Sequence, residues 1–179
     1  MEKIDVKALT DNVFRAIGTE WMLVTVGTAE SFNTMTASWG CLGWLWNKPV
    51  AVVFIRPERL THDFAERSDT LTLAFLGTSA QARRAYEYCG SHSGRDTDKM
   101  AATGLKPVGL PGGGVGFAQA RLVLECRKLY SDSLRADRFA DSSLGRWYGG
   151  KMGGLHDVYV AEIKAAYAGD GCWAGATNG

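Results

Sequence analysis

The chain has 179 residues, 46% of them apolar, enough for one domain whose core needs no metal or disulfide to hold it. Twenty Lys and Arg against nineteen Asp and Glu leave a formal charge of +1. That excludes disorder, which needs high net charge, and argues against a dedicated nucleic-acid binder, which needs a basic excess.

Thr10-Asp11 can cap a short helix through Phe14 to Ile17, with Gly18 as its end. Trp21 to Val26 reads as a buried strand closed by Gly27, and Met35 to Trp39 as a second extended piece. Val50 to Arg56 is a third strand, stopped by Pro57. Thr61-His62-Asp63 opens a helix of one or two turns, and Thr70 to Phe75 alternates as a half-buried strand should. Thr78-x-x-Gln81 is a capping-box pattern opening a helix through Tyr88 that Gly90 ends. Asp96 caps another short helix, ended by Gly104, and 107–116 reads as a glycine loop with no regular element. Arg121 to Tyr130 is a long strand, with Leu122, Leu124 and Cys126 opposite Arg121, Val123, Glu125 and Arg127. Residues 131–154 are polar and irregular, and His156 to Ala166 is the last long strand. The Gly/Ala-rich tail after Ala168 is expected to fray. About six strands with short inserted helices suggest a mainly β, antiparallel barrel, one domain over 1–179 with its core at about 10–168.

The longest clean apolar run, Val50 to Ile55, has six residues, against the ~20 of a membrane-crossing helix. The charged N-terminus has no apolar leader, so cytoplasm is the expected compartment and no membrane contact is expected. Cys41, Cys89, Cys126 and Cys172 form no C-x-x-C pair and read as free thiols; with His62, His92 and His156 scattered, no metal site is expected. Gly112-x-Gly114 lacks the third glycine and the preceding strand of a dinucleotide fingerprint. Gly145-x4-Gly150-Lys151 lacks the Ser or Thr of a phosphate-binding loop.

Three stretches carry chemistry. In NTMTASWGCLGWLWNK (33–48), Asn33, Thr34, Thr36 and Ser38 alternate with Met35, Ala37 and Trp39. Amides and small hydroxyls suit the polar edge of a flat ligand, and an apolar surface suits its face; an ordinary strand with a Trp-rich core has the same pattern. Around Pro57, Arg56, Arg59 and Thr61 join two cations to a helix start, an anion site in principle. Cys89-Gly90-Ser91-His92-Ser93-Gly94-Arg95-Asp96, followed by Lys99, repeats small hydroxyls, glycines and cations. Each of the last two fragments alone also reads as a solvated turn.

Together these stretches resemble the flavin reductase-like family of FMN-binding split β-barrels, which includes flavoredoxin-like proteins. The matching segments are NTMTASWG (33–40), WNKP (46–49), FIRPER-x-TxDF (54–64), SDTLTLAF (68–75), YCGSHSGRD-x-DK (88–99) and ARLVLECRKLY (120–130). The resemblance implies a homodimer with one non-covalent FMN per subunit near the interface, and NADH or NADPH as a transient reductant. It places Asn33, Met35, Thr36, Ala37, Ser38 and Trp39 along the flavin ring and ribityl chain. Arg56, Arg59 and Thr61 go to the phosphate and ribityl side. Cys89, Gly90, Ser91, Ser93 and Gly94, with Lys99, form the loop closing over the phosphate. Two activities follow from it: a reductase passing hydride from NAD(P)H to flavin and on to a flavin or small acceptor, or a flavin electron carrier reduced by a partner protein. No acid/base residue is assigned, because the chemistry belongs to the flavin. Cys41 suits a place near the ring but reads first as a packed thiol, and His156 suits the cavity lining but reads first as a satisfied or exposed histidine, while Trp44 and Trp46 suit either a ligand stack or a dimer interface.

Overall fold

The computed structural model describes residues 1–171 and 173. Strand β1 (Glu2–Ile4) and a 3-10 turn at Val6–Ala8 lead to α1 (Val13–Arg15). Asn12, not Thr10-Asp11, caps α1: its Oδ1 accepts from the Arg15 amide at 3.1 Å. The helix widens into a π turn over Ala16–Glu20, so Gly18 lies inside it. Then come β2 (Met22–Thr28), β3 (Ser31–Ala37), β4 (Gly40–Leu45) and β5 (Lys48–Ile55). They are followed by α2 (Leu60–Arg67), β6 (Thr70–Phe75), α3 (Ala80–Ser91) and α4 (Lys99–Thr103). A small hairpin, β7 (Pro107–Gly109) and β8 (Val115–Phe117), precedes the long strands β9 (Leu122–Ser133) and β10 (Asp157–Ala168).

Seven strands form one antiparallel path, β3-β2-β6-β9-β10-β5-β4, with β1 added on β10. The two ends of that path, β3 and β4, are consecutive in the chain and separated only by Ser38 and Trp39. Three Cα steps reach at most about 11 Å, so the sheet has to roll until its edges nearly meet. No ladder joins β3 to β4. The barrel is therefore split along a seam, and Ser38-Trp39 bridges it.

Alternation decides what fills the barrel. Met22, Val24 and Val26 of β2, Leu71, Leu73 and Phe75 of β6, Leu122, Leu124 and Cys126 of β9, and Tyr159 of β10 form the interior core. The opposite faces of the same strands send Leu23, Ala74 and Val123 into a second core under α3 and the β7–β8 hairpin, with Tyr86, Phe117 and Leu105. Strands β2 and β6 and the first half of β9 are thus buried on both sides; β6 is not the half-buried strand its alternation suggests, because its Thr72 is covered by the hairpin and donates to the Val115 carbonyl at 2.5 Å.

The sequence pattern misses β4, because Gly40 and Gly43 break its alternation. Gly40 is there for a close approach: a Cβ would lie 2.8 Å from Met22 Cε and 2.9 Å from the Val52 carbonyl oxygen. A two-residue turn joins β4 to β5, with Trp46 and Asn47 at φ 51° and 57°, the left-handed pair that matches hairpin twist. Helix α3 is capped by Ser79, whose Oγ accepts from the Ala82 amide at 3.1 Å, and it runs past Gly90 to Ser91. Helix α4 is capped by Asp98 rather than Asp96, and Gly104 ends it in the left-handed conformation. The glycine loop at 107–116 is not structureless: it is the β7–β8 hairpin. Thr61 does not cap α2; Arg59 holds the cap position and Thr61 is buried in the first turn. Cys41, Cys89 and Cys126 are free thiols. The expectations for Cys172 and for the end of the tail fall on 172 and 174–179, outside the described residues. No helix among the described residues is long and apolar enough to cross a membrane.

Candidate functional site

The seam opens into a pocket of about 210 Å³. Its first wall is the end of β3 and the bridge, Met35 to Trp39; its second comes from the end of β5 and the turn after it, Phe54, Arg56 and Arg59; His156 closes the floor ahead of β10. The walls differ in chemistry. On the first, the Thr36 hydroxyl donates to the Tyr86 carbonyl at 2.6 Å, which fixes its lone pairs and the neighbouring strand backbone. Helix α3 lies close to this strand: a Cβ on Gly90 would stand 3.4 Å from Thr36 Cβ, in van der Waals contact. Ser38 and Trp39 also line a second, more apolar hollow of about 580 Å³ with Val13, Phe14, Ile17 and Cys41, so Trp39 partitions the two.

The second wall is cationic, but its Arg59, and Lys99 in the neighbouring cavity, already have partners. Arg59 donates to the Gly90 and Cys89 carbonyls at 2.8 and 3.2 Å. Lys99 donates to the Thr34 and Cys89 carbonyls at 2.7 and 3.1 Å. These carbonyls include the last ones of α3, which have no acceptor role inside the helix. Burial, with help from Arg59, brings the Lys99 ammonium down to about 8, although it keeps 5% exposure. Burial and the Arg56 charge also lower Arg59. Burial raises the Cys89 thiol to about 11, so it stays protonated at neutral pH.

The remaining expected site residues lie behind this wall. Asn33 Nδ2 donates to Thr61 Oγ1 at 2.7 Å, which ties β3 to α2. Gly94 presses against Asn33, and a Cβ there would collide with its Oδ1. Asn33, Gly94 and Lys99 line a separate cavity of about 230 Å³ beside the pocket. Cys89 and Gly90 contribute carbonyl oxygens, and the Cys89 side chain points into the outer core. Ser93 Oγ accepts from the Arg95 amide at 3.1 Å, and Arg95 in turn pairs with Asp63 of α2 at 2.7 Å. Ser91 is not brought to the seam: it donates to the Glu87 carbonyl at 2.7 Å and lines a hollow on the far side of α3.

Phe54, Trp147 and Tyr148, which the sequence did not single out for this site, complete it together with His156, which the sequence left open between the cavity and a satisfied histidine. His156 is 7% exposed and surrounded by the rings of Trp39, Phe54 and Tyr148, at 5.4, 6.3 and 5.6 Å. Burial, then the Arg56 charge, brings it down to about 4, so it is neutral at physiological pH. Trp147 sets its ring edge-on to Trp39 at 5.5 Å. Phe54 alternates outward from β5, and period two along that strand was enough to find it. Trp147 and Tyr148 come from 131–154, which has no periodicity to read.

Comparison with known proteins follows this geometry. The family described as flavin reductase like domain matches residues 14–173. No curated protein matches the chain. Among solved structures, a flavoredoxin from Methanosarcina acetivorans is similar at TM-score 0.63 and 20% identity, over 95% of this chain and 77% of that one. An FMN-binding protein from Thermus thermophilus, with bound p-hydroxybenzaldehyde, is similar at 0.64 and 21%, over 96% and 83%. An NADH:FAD oxidoreductase from Streptomyces globisporus C-1027 is similar at 0.59 and 18%, over 84% and 75%. At these identities the structures speak for the fold, an antiparallel split barrel, while the family match covers nearly the whole domain. The chain belongs to the flavin reductase like domain family.

Proposed function

We propose that the seam pocket holds the ring of a non-covalent FMN and that the protein is a flavin-dependent oxidoreductase using NADH or NADPH. The observation that carries this reading is the pairing of a neutral wall, Met35 to Trp39, with a cationic one across the same seam. The donors fit the cofactor. Strand-end amides and the Ser38 hydroxyl suit the polar edge of an isoalloxazine, and Trp39, Phe54 and His156 suit its face. Arg59 and Lys99 stand toward the phosphate end with Asn33, Thr61, Ser93 and Gly94, and each cation keeps donors beyond the two it uses. Bound flavin supplies the hydride chemistry. The chain's part is to hold the ring, exclude water from it and keep a neutral imidazole at His156 for hydrogen bonding.

Purified protein is expected to be yellow and to release, on heating, a flavin that co-migrates with FMN. Colourless protein that also leaves the fluorescence of added FMN unquenched overturns the reading. Anaerobic mixing with NADH and NADPH then separates a pyridine-nucleotide reductase, which bleaches within the mixing experiment, from a carrier that waits for a protein donor.

Assembly as a homodimer belongs to the same proposal. Phe14 is 89% exposed, and Trp44 and Trp46 are 55% exposed each. Apolar area of this kind around a seam marks an interface more often than a free surface. Light scattering at micromolar concentration is expected to give twice the chain mass; the mass of one chain removes the dimer.

A further inference from the structure

We infer that residues 139–154 are a lid over the seam pocket, latched by Arg56 and Glu58, and that Arg56 is a positioning residue for the second substrate, not a phosphate ligand. The inference rests on the seam pocket being the flavin site.

Arg56 and Glu58 flank Pro57 and grip one residue at the end of the lid, Gly154, by its carbonyl and its amide. Arg56 Nη1 donates to the Gly154 carbonyl at 2.8 Å, and Glu58 Oε1 accepts from the Gly154 amide at 2.5 Å. Arg56 Nη2 reaches further along the same segment to the Trp147 carbonyl at 3.0 Å, and its guanidinium lies 5.3 Å from the Tyr148 ring centre. Each terminal nitrogen thus gives one N–H to the lid, which aims the guanidinium at the segment. The Gly154 hydrogen bond also holds the Glu58 carboxyl below its usual range, as a charged acceptor. Gly153 is needed for its backbone, at φ 86°, and a Cβ on Gly154 would push Glu58 Oε1, 3.1 Å away, by a few tenths of an ångström. Gly149 and Gly153, at φ 88° and 86°, close the segment on itself through a 2.7 Å bond from the Gly149 amide to the Gly153 carbonyl.

The lid contains only 3-10 turns, at 142–147 and 150–152, and most of its residues are exposed. Few buried apolar contacts and a handful of polar ties are what a locally opening segment has. Its contacts with the pocket are rings: Trp147 edge-on to Trp39, and Tyr148 to His156, with the Tyr148 hydroxyl 3.3 Å from His156 Nδ1. With the lid down, the pocket holds about 210 Å³, below the roughly 300–1,000 Å³ of sites for organic ligands. Trp147 packs edge-on to Trp39 of the neutral wall, so a flat second ring that approaches the flavin over Trp39 meets it. The latch therefore sets the entry of a planar, ring-bearing substrate, and Trp147 is the residue that has to move.

The test uses the full chain with Arg56→Ala, Arg56→Lys and the near-isosteric Glu58→Gln. Hydrogen exchange of the 139–154 amides, measured without flavin, is expected to speed up tenfold or more in Arg56→Ala and by less in Glu58→Gln. FMN and riboflavin affinities are expected to change together, within about twofold of each other, while the KM of the second substrate shifts several-fold. Arg56→Lys keeps the charge but loses the two-pronged grip, and is expected to behave like Arg56→Ala. Unchanged exchange in both Arg56→Ala and Glu58→Gln overturns the latch. A tenfold loss of FMN affinity with riboflavin unaffected makes Arg56 a phosphate ligand and overturns its assignment here. Should the parent protein bind no flavin, the functional reading fails separately, and the exchange result still decides the latch.

Discussion

Replacing Arg59 or Lys99 by alanine is expected to weaken FMN binding about tenfold to a hundredfold and to leave riboflavin binding nearly unchanged. A charge-assisted hydrogen bond contributes roughly 1.5–3 kcal/mol, and about 1.4 kcal/mol is a factor of ten in affinity. Riboflavin lacks the phosphate, so the pair of affinities separates a phosphate contact from general damage to the site. The control matters because both cations also hold α3: Arg59 serves the Gly90 and Cys89 carbonyls, and Lys99 serves Cys89 and Thr34. Removing either leaves partly buried carbonyls short of a donor, so each variant is also expected to melt earlier than the parent.

Lys99 gives a second readout through pH. Its folded value of about 8 lies below the ~10.4 of an unfolded chain. The buried ammonium is a cost to the fold below pH 8, and that cost is relieved as pH rises from about 8 toward 10.4, so stability contributed by this group rises across that window. FMN affinity runs the other way. Above pH 8 free Lys99 loses the proton that attracts phosphate, so FMN affinity falls while riboflavin affinity stays level. Isothermal titration at pH 7 and pH 9 measures both. If both variants bind FMN like the parent, the phosphate lies elsewhere and the two cations serve only as the cap of α3.

The parts of this molecule that were legible in its sequence are those governed by one period. Strands β2, β6, β9 and β10 show alternating or continuous apolar residues because each presses at least one face into a core. Strand β4 was hidden because its glycines exist for close approach to Met22 and Val52, a constraint set by a distant neighbour. The neutral wall, Met35 to Trp39, was visible for the same reason as the strands. The cations were visible as residue types but not by partner: nothing in the letters says that Lys99 reaches a helix carbonyl 10 positions away and a strand carbonyl 65 positions away. The lid was opaque because it is held by two side chains from another part of the chain, not by its own pattern. The capping expectations at Asp96 and Thr61 failed differently. Both lie near true helix starts, but Asp98, two residues further on, binds the α4 amides, and Thr61 is taken by Asn33.

Replacing Glu125 is expected to produce the largest loss of stability, and the glycine loop explains why. Glu125 lies mid-strand in β9 with 3% exposure, and no ion pair to it is formed among the described residues. Its charge is met by three neutral donors instead. Oε1 accepts from the Gly114 amide at 3.0 Å, and Oε2 accepts from the Gly112 amide at 3.2 Å and the Tyr167 hydroxyl at 3.0 Å. The run Gly112-Gly113-Gly114, which looks like part of a nucleotide fingerprint, is therefore a cradle for the protein's own carboxylate. The glycines are needed at both contacts: a Cβ on Gly112 would lie 2.7 Å from Glu125 Cδ, and one on Gly114 would lie 2.7 Å from Thr72 Cγ2. The same contact pins the β7–β8 hairpin over the outer core, and burial together with Glu125 pushes the Tyr167 hydroxyl up to about 12. In Glu125→Leu the two amides and the hydroxyl lose their acceptor, at about 1–3 kcal/mol for each group left unsatisfied. A loss of about 3–5 kcal/mol corresponds to roughly 6–20 °C in Tm for a domain of this size. Glu125→Gln keeps the shape and one carbonyl oxygen but aims an NH2 group at N–H or O–H donors, so about half that loss is expected. None of these groups lines the seam pocket, so both variants are expected to retain FMN affinity below their melting temperatures. Calorimetry and a flavin titration on the same samples check the two halves of the prediction. A Tm within a degree of the parent for Glu125→Leu would show that the loop holds itself, without the carboxylate.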